Sequence, residues 1–126
     1  MELKEAVTAF LKARNALTRT LLDVVDTGEK LIFKHKTHDH HIVISEKLSV
    51  VNVSEKTTVA CLNTKENVNF LVDNWEEFLV PKLSILFVNP NTQEQWKVMP
   101  VAHNAVAERK KLKKGLEALF SQVTEV

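Results

Sequence analysis

Four of the five histidines fall within seven residues, in His35-Lys36-Thr37-His38-Asp39-His40-His41. Imidazole nitrogens are ligands for zinc, copper and nickel, and a hairpin tip at this point would bring His35 across from His40 or His41. His35, His38, Asp39 and His41 are therefore candidate ligands for a weakly held divalent transition metal. Asp39 would act either as a ligand or as a carboxylate orienting an imidazole. The spacing matches no established structural-zinc pattern, so a polar turn with adventitious metal affinity is the plainer reading, and no resident cofactor is expected. The second constellation is Arg109-Lys110-Lys111-Leu112-Lys113-Lys114, five cations in six positions. On a helix, Arg109, Lys110, Lys113 and Lys114 share a broad exposed arc while Leu112 and Leu116 turn inward. Such a stripe could neutralise phosphates with a salt-dependent affinity. It could equally be a solvated helix face paired to Asp73, Glu76 and Glu77. No aromatic residues interleave with it to stack single-stranded bases.

Catalytic motifs are missing. His103 could serve as a base, but the chain has no nucleophile elbow, Walker loop, dinucleotide fingerprint or HExxH helix. Asp23 and Asp26 fall where surface residues are expected, and spacing alone identifies no carboxylate pair for acid–base work. The features point away from an enzyme.

Composition narrows the remaining classes. With 126 residues the chain is long enough for one domain with a sizeable core. Its 17 basic and 16 acidic residues leave a charge of +1, so any nucleic-acid contact must come from a local patch and not from a global field. The single cysteine, Cys61, excludes an intrachain disulfide framework and a Cys-rich zinc site, and reads as a small core residue. Two glycines leave little material for a phosphate-cradling loop. No run approaches a membrane span, and Glu2, Lys4 and Glu5 interrupt the first ten residues in a way a signal peptide would not. A cytoplasmic protein without membrane association is the expectation. The sequon Asn52-Val53-Ser54 then carries no meaning.

The elements that must position these residues follow from hydrophobic period. Leu3, Val7, Phe10, Leu17, Leu21 and Val24 predict an amphipathic helix over about 2–25, with Arg14 on its apolar stripe as a snorkelling side chain and Gly28 as its C-cap. The period then becomes 2. Leu31–Phe33, His41–Ile44, Leu48–Val53 and Thr57–Leu62 read as a four-strand antiparallel meander. Asn63 and Glu66 have capping-box spacing for a second helix carrying Val68, Leu71, Val72, Trp75, Phe78 and Leu79, ended by Pro81. Leu83–Val88 is apolar enough for a strand covered on both faces, and Trp96–Met99 follows the Asn89–Thr92 turn as its partner. Asn104 caps a last helix, in which Gly115 implies close packing or a kink. The reading is one α+β domain over residues 1–126 in the order α-β-β-β-β-α-β-β-α, a mixed sheet flanked by helices.

From Asp39 onward this order resembles the PD-(D/E)XK nuclease (restriction-endonuclease-like) fold, particularly the archaeal Holliday-junction resolvases. Asp39 begins a strand, Asn52-Val53-Ser54 stands thirteen residues later in the place of the Glu-x-Lys, and Thr58–Leu62, the helix of Val68–Phe78, Leu83–Phe87 and Trp96-Lys97-Val98 follow in the family's order. The resemblance covers roughly residues 1–100. It departs at His38, where the family has Pro, and at Asn52 and Ser54, which replace the metal-sharing carboxylate and the water-activating lysine. Glu-x-Lys occurs only as Glu2-Leu3-Lys4 and Glu108-Arg109-Lys110, both in helical segments. The resemblance thus implies a catalytically dead relative that binds nucleic acid, or a protein partner. The long first helix and its wide stripe offer an alternative, a homodimeric, chaperone-like interaction module that self-associates.

Overall fold

The computed structural model describes residues 2–106 and 108–126, without the side chains of Leu17 and Thr18, so the place of Leu17 on the first stripe lies outside the described residues. Helix α1 (Leu3–Thr18) leads into strands β1 (Leu21–Asp26), β2 (Lys30–His35), β3 (Asp39–Ile44) and β4 (Thr57–Leu62). Helix α2 (Lys65–Asp73) and a 3-10 turn (Trp75–Phe78) precede β5 (Leu83–Asn89) and β6 (Glu94–Val98). Helices α3 (Pro100–Val106) and α4 (Leu112–Ser121) close the chain, with a 3-10 turn at Arg109–Lys111 between them. The six strands form one mixed sheet in chain order. β3, β4 and β5 run parallel, and β1–β2, β2–β3 and β5–β6 are antiparallel. This is the expected α+β class, with a mixed sheet between helices.

Several expectations change inside that frame. The first helix stops at Arg19, whose left-handed backbone (φ 54) ends it with an N–H donated to the Asn15 carbonyl, and residues 21–26 are a strand. Leu21, Leu22, Val24 and Val25 fit either period, and pairing with β2 decides between them. Gly28 (φ +90) serves the β1–β2 turn and not a helix cap, donating its N–H to the Asp26 carboxylate at 2.9 Å. The second correction concerns Leu48–Val53, which is not a strand, so β3 and β4 are parallel neighbours instead of meander partners. A parallel pair needs a crossover of about a dozen residues, and residues 45–56 supply it without a helix. Buried Leu48 and half-buried Val51 and Val53 press onto the sheet as the segment crosses.

Both faces of the sheet are covered, and each builds its own core. On one face Leu3, Ala6, Val7 and Leu11 of α1 cover Leu31, Phe33, Ile42, Ala60, Leu86 and Val88. On the other, α2, the 3-10 turn and α4 bring Leu71, Trp75, Phe78, Leu116 and Phe120 onto Val59, Cys61, Ile85, Phe87 and Trp96. Each fully buried large side chain there contributes on the order of 1.5–3 kcal/mol of transfer free energy. Cys61 is a core residue as expected, and burial pushes its thiol up.

Side-chain amides tie the ends together. Thr64, and not Asn63, caps α2, accepting from the Asn67 N–H. Asn63 is instead buried, accepting from Trp96 Nε1 at 2.7 Å and donating to the Val123 and Thr124 carbonyls. Asn104 is likewise inside α3, where its carbonyl accepts from Trp75 Nε1 and from Arg109. Gly115 is exposed, and a methyl group there would meet nothing within 4 Å, which removes the expected close packing. Among the described residues no helix is long and apolar enough to cross a membrane.

Candidate functional site

Strand parity sets up the site. Residues paired across strands share a face, as do residues two apart along one strand. Phe33 pairs with His40, Ile42 with Thr58, Thr58 with Ser84, and Leu86 with Lys97. His35, His40, Thr58, Ser84 and Lys97 therefore form a polar row across β2 to β6 on the α1 side of the sheet. Among the described side chains the buried stripe of α1 runs as far as Leu11 and is followed by exposed Arg14. The helix thus seals Ile42, Ala60 and Leu86 but leaves the row two residues before them as the floor of a cleft of about 960 Å³.

The floor is wired by short hydrogen bonds. His40 Nε2 lies 2.7 Å from Thr58 Oγ1, and Thr58 Oγ1 lies 2.8 Å from Ser84 Oγ. Thr58 is buried and Ser84 half-buried. At the β2 end, Thr20 Oγ1 is 3.2 Å from His35 Nδ1, and the His35 and His38 rings stack with centroids 4.8 Å apart.

Positive charge surrounds this row. Arg14 comes from α1, Lys56 and Lys82 from the residues leading into β4 and β5, and Lys97 from β6. The acidic residues of the cleft are Asp39 and Glu55, and Glu55 is engaged by His41 Nε2 at 2.9 Å. Three groups register the resulting field. Burial, and then Lys56, His35, His38 and Lys97, hold His40 far below the usual imidazole range, at about 3. Burial, His38 and Lys56 lower His35, against an opposing pull from Asp39. Burial, Arg14 and Lys56 lower the Lys97 ammonium. Neutral imidazole, two hydroxyls and several cations make a surface for anionic oxygens.

The expected metal set is not gathered. His35, His38, Asp39 and His41 all border the cleft, yet among the described residues no three His, Cys, Asp or Glu side chains converge to hold an ion. Alternation along β3 explains this: His40 lies on the floor, and His41, its neighbour, is turned away from the floor to the cleft margin, where it meets Glu55. His41 Nδ1 is buried there with no hydrogen-bond partner. Ser54 reaches the cleft margin, whereas Asn52 lies in the crossover away from it.

The basic run is also elsewhere. Leu112 and Leu116 anchor α4 in the core on the far face of the sheet, as the expected inward leucines. Arg109 forms an ion pair with Glu76, Lys111 with Glu108, and Lys113 with Glu117. The histidines and the Arg109–Lys114 stripe therefore occupy separate surfaces. Comparison with protein-family models, curated proteins and solved structures finds no match. The function must be argued from the cleft itself.

Sequence reasoning missed the centre of the site. Thr58, Ser84 and Lys97 belong to runs that read as ordinary strands. The available signal was Ser84 within an otherwise apolar run and Arg14 on an otherwise apolar stripe. Each marks the place where one face of its element stops being core.

Proposed function

We propose that this protein binds nucleic acid without transforming it, and that the cleft between α1 and the sheet holds the phosphates. The observation that carries this reading is the convergence of Arg14 of α1, Lys56 of the crossover and Lys97 of β6 on the lining of one cleft, where burial, and then Arg14 and Lys56, lower the Lys97 ammonium. Among the described residues none of these three cations is in an ion pair. Cations at close quarters are relieved by a polyanion, and phosphate neutralisation supplies most sequence-independent nucleic-acid affinity. The cleft is favoured over the Arg109–Lys114 helix because that helix already spends Arg109, Lys111 and Lys113 on carboxylates. Under this reading the nuclease resemblance describes a relative whose motif positions Asn52 and Ser54 have lost carboxylate and lysine, while binding is retained. The test is fluorescence anisotropy with labelled single-stranded and duplex oligonucleotides at low salt. The wild-type protein binds, and the double charge reversal Arg14→Glu/Lys97→Glu does not. No wild-type binding at low salt overturns the proposal.

A further inference from the structure

We infer that His40, Thr58 and Ser84, with Lys97 and Arg14 as counter-charges, form a receptor for a terminal phosphate group at the end of a nucleic-acid strand. The inference rests on the nucleic-acid reading and narrows it from a charged surface to a discrete subsite. Its first support is the direction that the hydrogen-bond chain can take. A neutral imidazole carrying its proton on Nε2 donates to Thr58 Oγ1 across 2.7 Å, Thr58 donates to Ser84 Oγ across 2.8 Å, and the Ser84 hydroxyl is left to donate into the cleft. Buried Thr58 is satisfied from both sides, and the half-buried serine is where the chain meets a ligand.

The second support is the concentration of charge around that hydroxyl. Lys97 lies diagonally across the β5–β6 ladder from Ser84, within reach of a long side chain, and Arg14 and Lys56 are close enough to act on Lys97. An internal phosphodiester brings one negative charge to this spot. A terminal phosphate monoester brings about −1.5 to −2 at neutral pH and three acceptor oxygens. The monoester therefore matches both the number of donors and the excess of cations. The third support is the shape of the cleft: two residues further along the strands Ile42, Ala60 and Leu86 lie sealed under α1, so the floor is blind on that side.

The experiment compares two single-stranded oligonucleotides of the same sequence, with and without a 5′-phosphate, so that terminal and internal phosphates are distinguished as the source of affinity. For the wild-type protein the 5′-phosphate tightens binding by about tenfold, the effect of one charge-assisted hydrogen bond. Ser84→Ala removes that difference, and a tenfold preference that survives Ser84→Ala overturns the placement of the terminal phosphate at this hydroxyl. Equal, salt-dependent binding of both strands by the wild-type protein overturns this inference while leaving the broader reading standing. Failure of both strands to bind overturns the broader reading. The decisive comparison is made on the wild-type chain, so it stands even where a substitution disturbs folding.

Discussion

Replacing Lys97 by glutamine removes one cation from the cleft and keeps the aliphatic stem over the sheet. Four cations line the cleft, Arg14, Lys56, Lys82 and Lys97. If each neutralises one phosphate of a single strand, the slope of log affinity against log salt is about −2.8, at roughly −0.7 per contact. Between about 50 and about 200 mM salt the wild-type affinity then falls ~50-fold. With three cations the slope becomes about −2.1 and the loss over the same interval shrinks to ~20-fold. On a duplex, at roughly −0.9 per contact, the wild-type slope is about −3.6. Anisotropy titrations at four or five salt concentrations measure these slopes directly. The control is Lys110→Gln/Lys114→Gln on the far face of the sheet, which leaves the slope of the wild-type protein. A Lys97→Gln slope equal to wild type, with a reduced slope for the α4 control, would refute the placement of the phosphates in the cleft.

The folded state makes further commitments. His40 titrates at about 3 in the folded chain against about 6.5 when exposed, so between those values the unfolded chain binds the extra proton. Stability contributed by neutral His40 is therefore complete above the unfolded value and is lost as pH falls, at up to about 1.4 kcal/mol per pH unit. Urea unfolding at pH 7, 5 and 4 checks this, with His40→Gln showing the shallower decline. Asn67→Ala destabilises by about 1–3 kcal/mol, because the buried Leu48 N–H donates to the Asn67 carbonyl at 2.9 Å, while the Glu46 and Leu62 carbonyls that Asn67 also serves keep backbone donors. Its denaturation midpoint should fall without loss of the helical signal. Gly115→Ala stabilises by about 0.5–1 kcal/mol, since the position is helical, exposed and open to a methyl group. A lowered midpoint would mean that the glycine serves a contact which the open space around it contradicts.

The class of fold was legible because long apolar patterns leave few alternatives. Leu83–Val88 can hardly be anything but a strand covered on both faces, and it is the inner strand β5, between β4 and β6, with cores on either side. Sequence pattern was ambiguous where two periods coincide. Leu21–Asp26 satisfies a helix and a strand equally, and only the β2 partner, five to fourteen residues away, selects the strand. Leu48–Val53 has strand-like residues but no free edge beside β3 to join, because β3 already takes β4 as its second neighbour. The site was the least legible part for a related reason. Its residues come from α1 and five strands, so no local window contains two neighbouring members of the row apart from the histidine cluster. Within that cluster alternation separates His40 from His41, which a count of histidines cannot reveal.

A serine and a threonine beside an imidazole invite a nucleophile reading, and burial together with the sign of the surrounding charge weighs against it. Activating a hydroxyl near neutral pH requires a base whose own affinity for the proton is comparable to the working pH. It also requires an acidic or carbonyl partner that stabilises the imidazolium as it forms. His40 has neither condition. Burial, and after it Lys56, His35, His38 and Lys97, oppose its protonation, Glu55 is engaged by His41, and exposed Asp39 lies at the strand's open end. The same cations act in the opposite sense on a bound phosphate. At an effective dielectric of about 20, a unit charge pair at 4 Å attracts by about 4 kcal/mol before desolvation is subtracted, so each cation that disables the base strengthens the complex. Catalysis and anion binding therefore pull the electrostatics of this row in contrary directions. Under the proposed reading, Arg14, Lys56 and Lys97 tip that conflict towards binding.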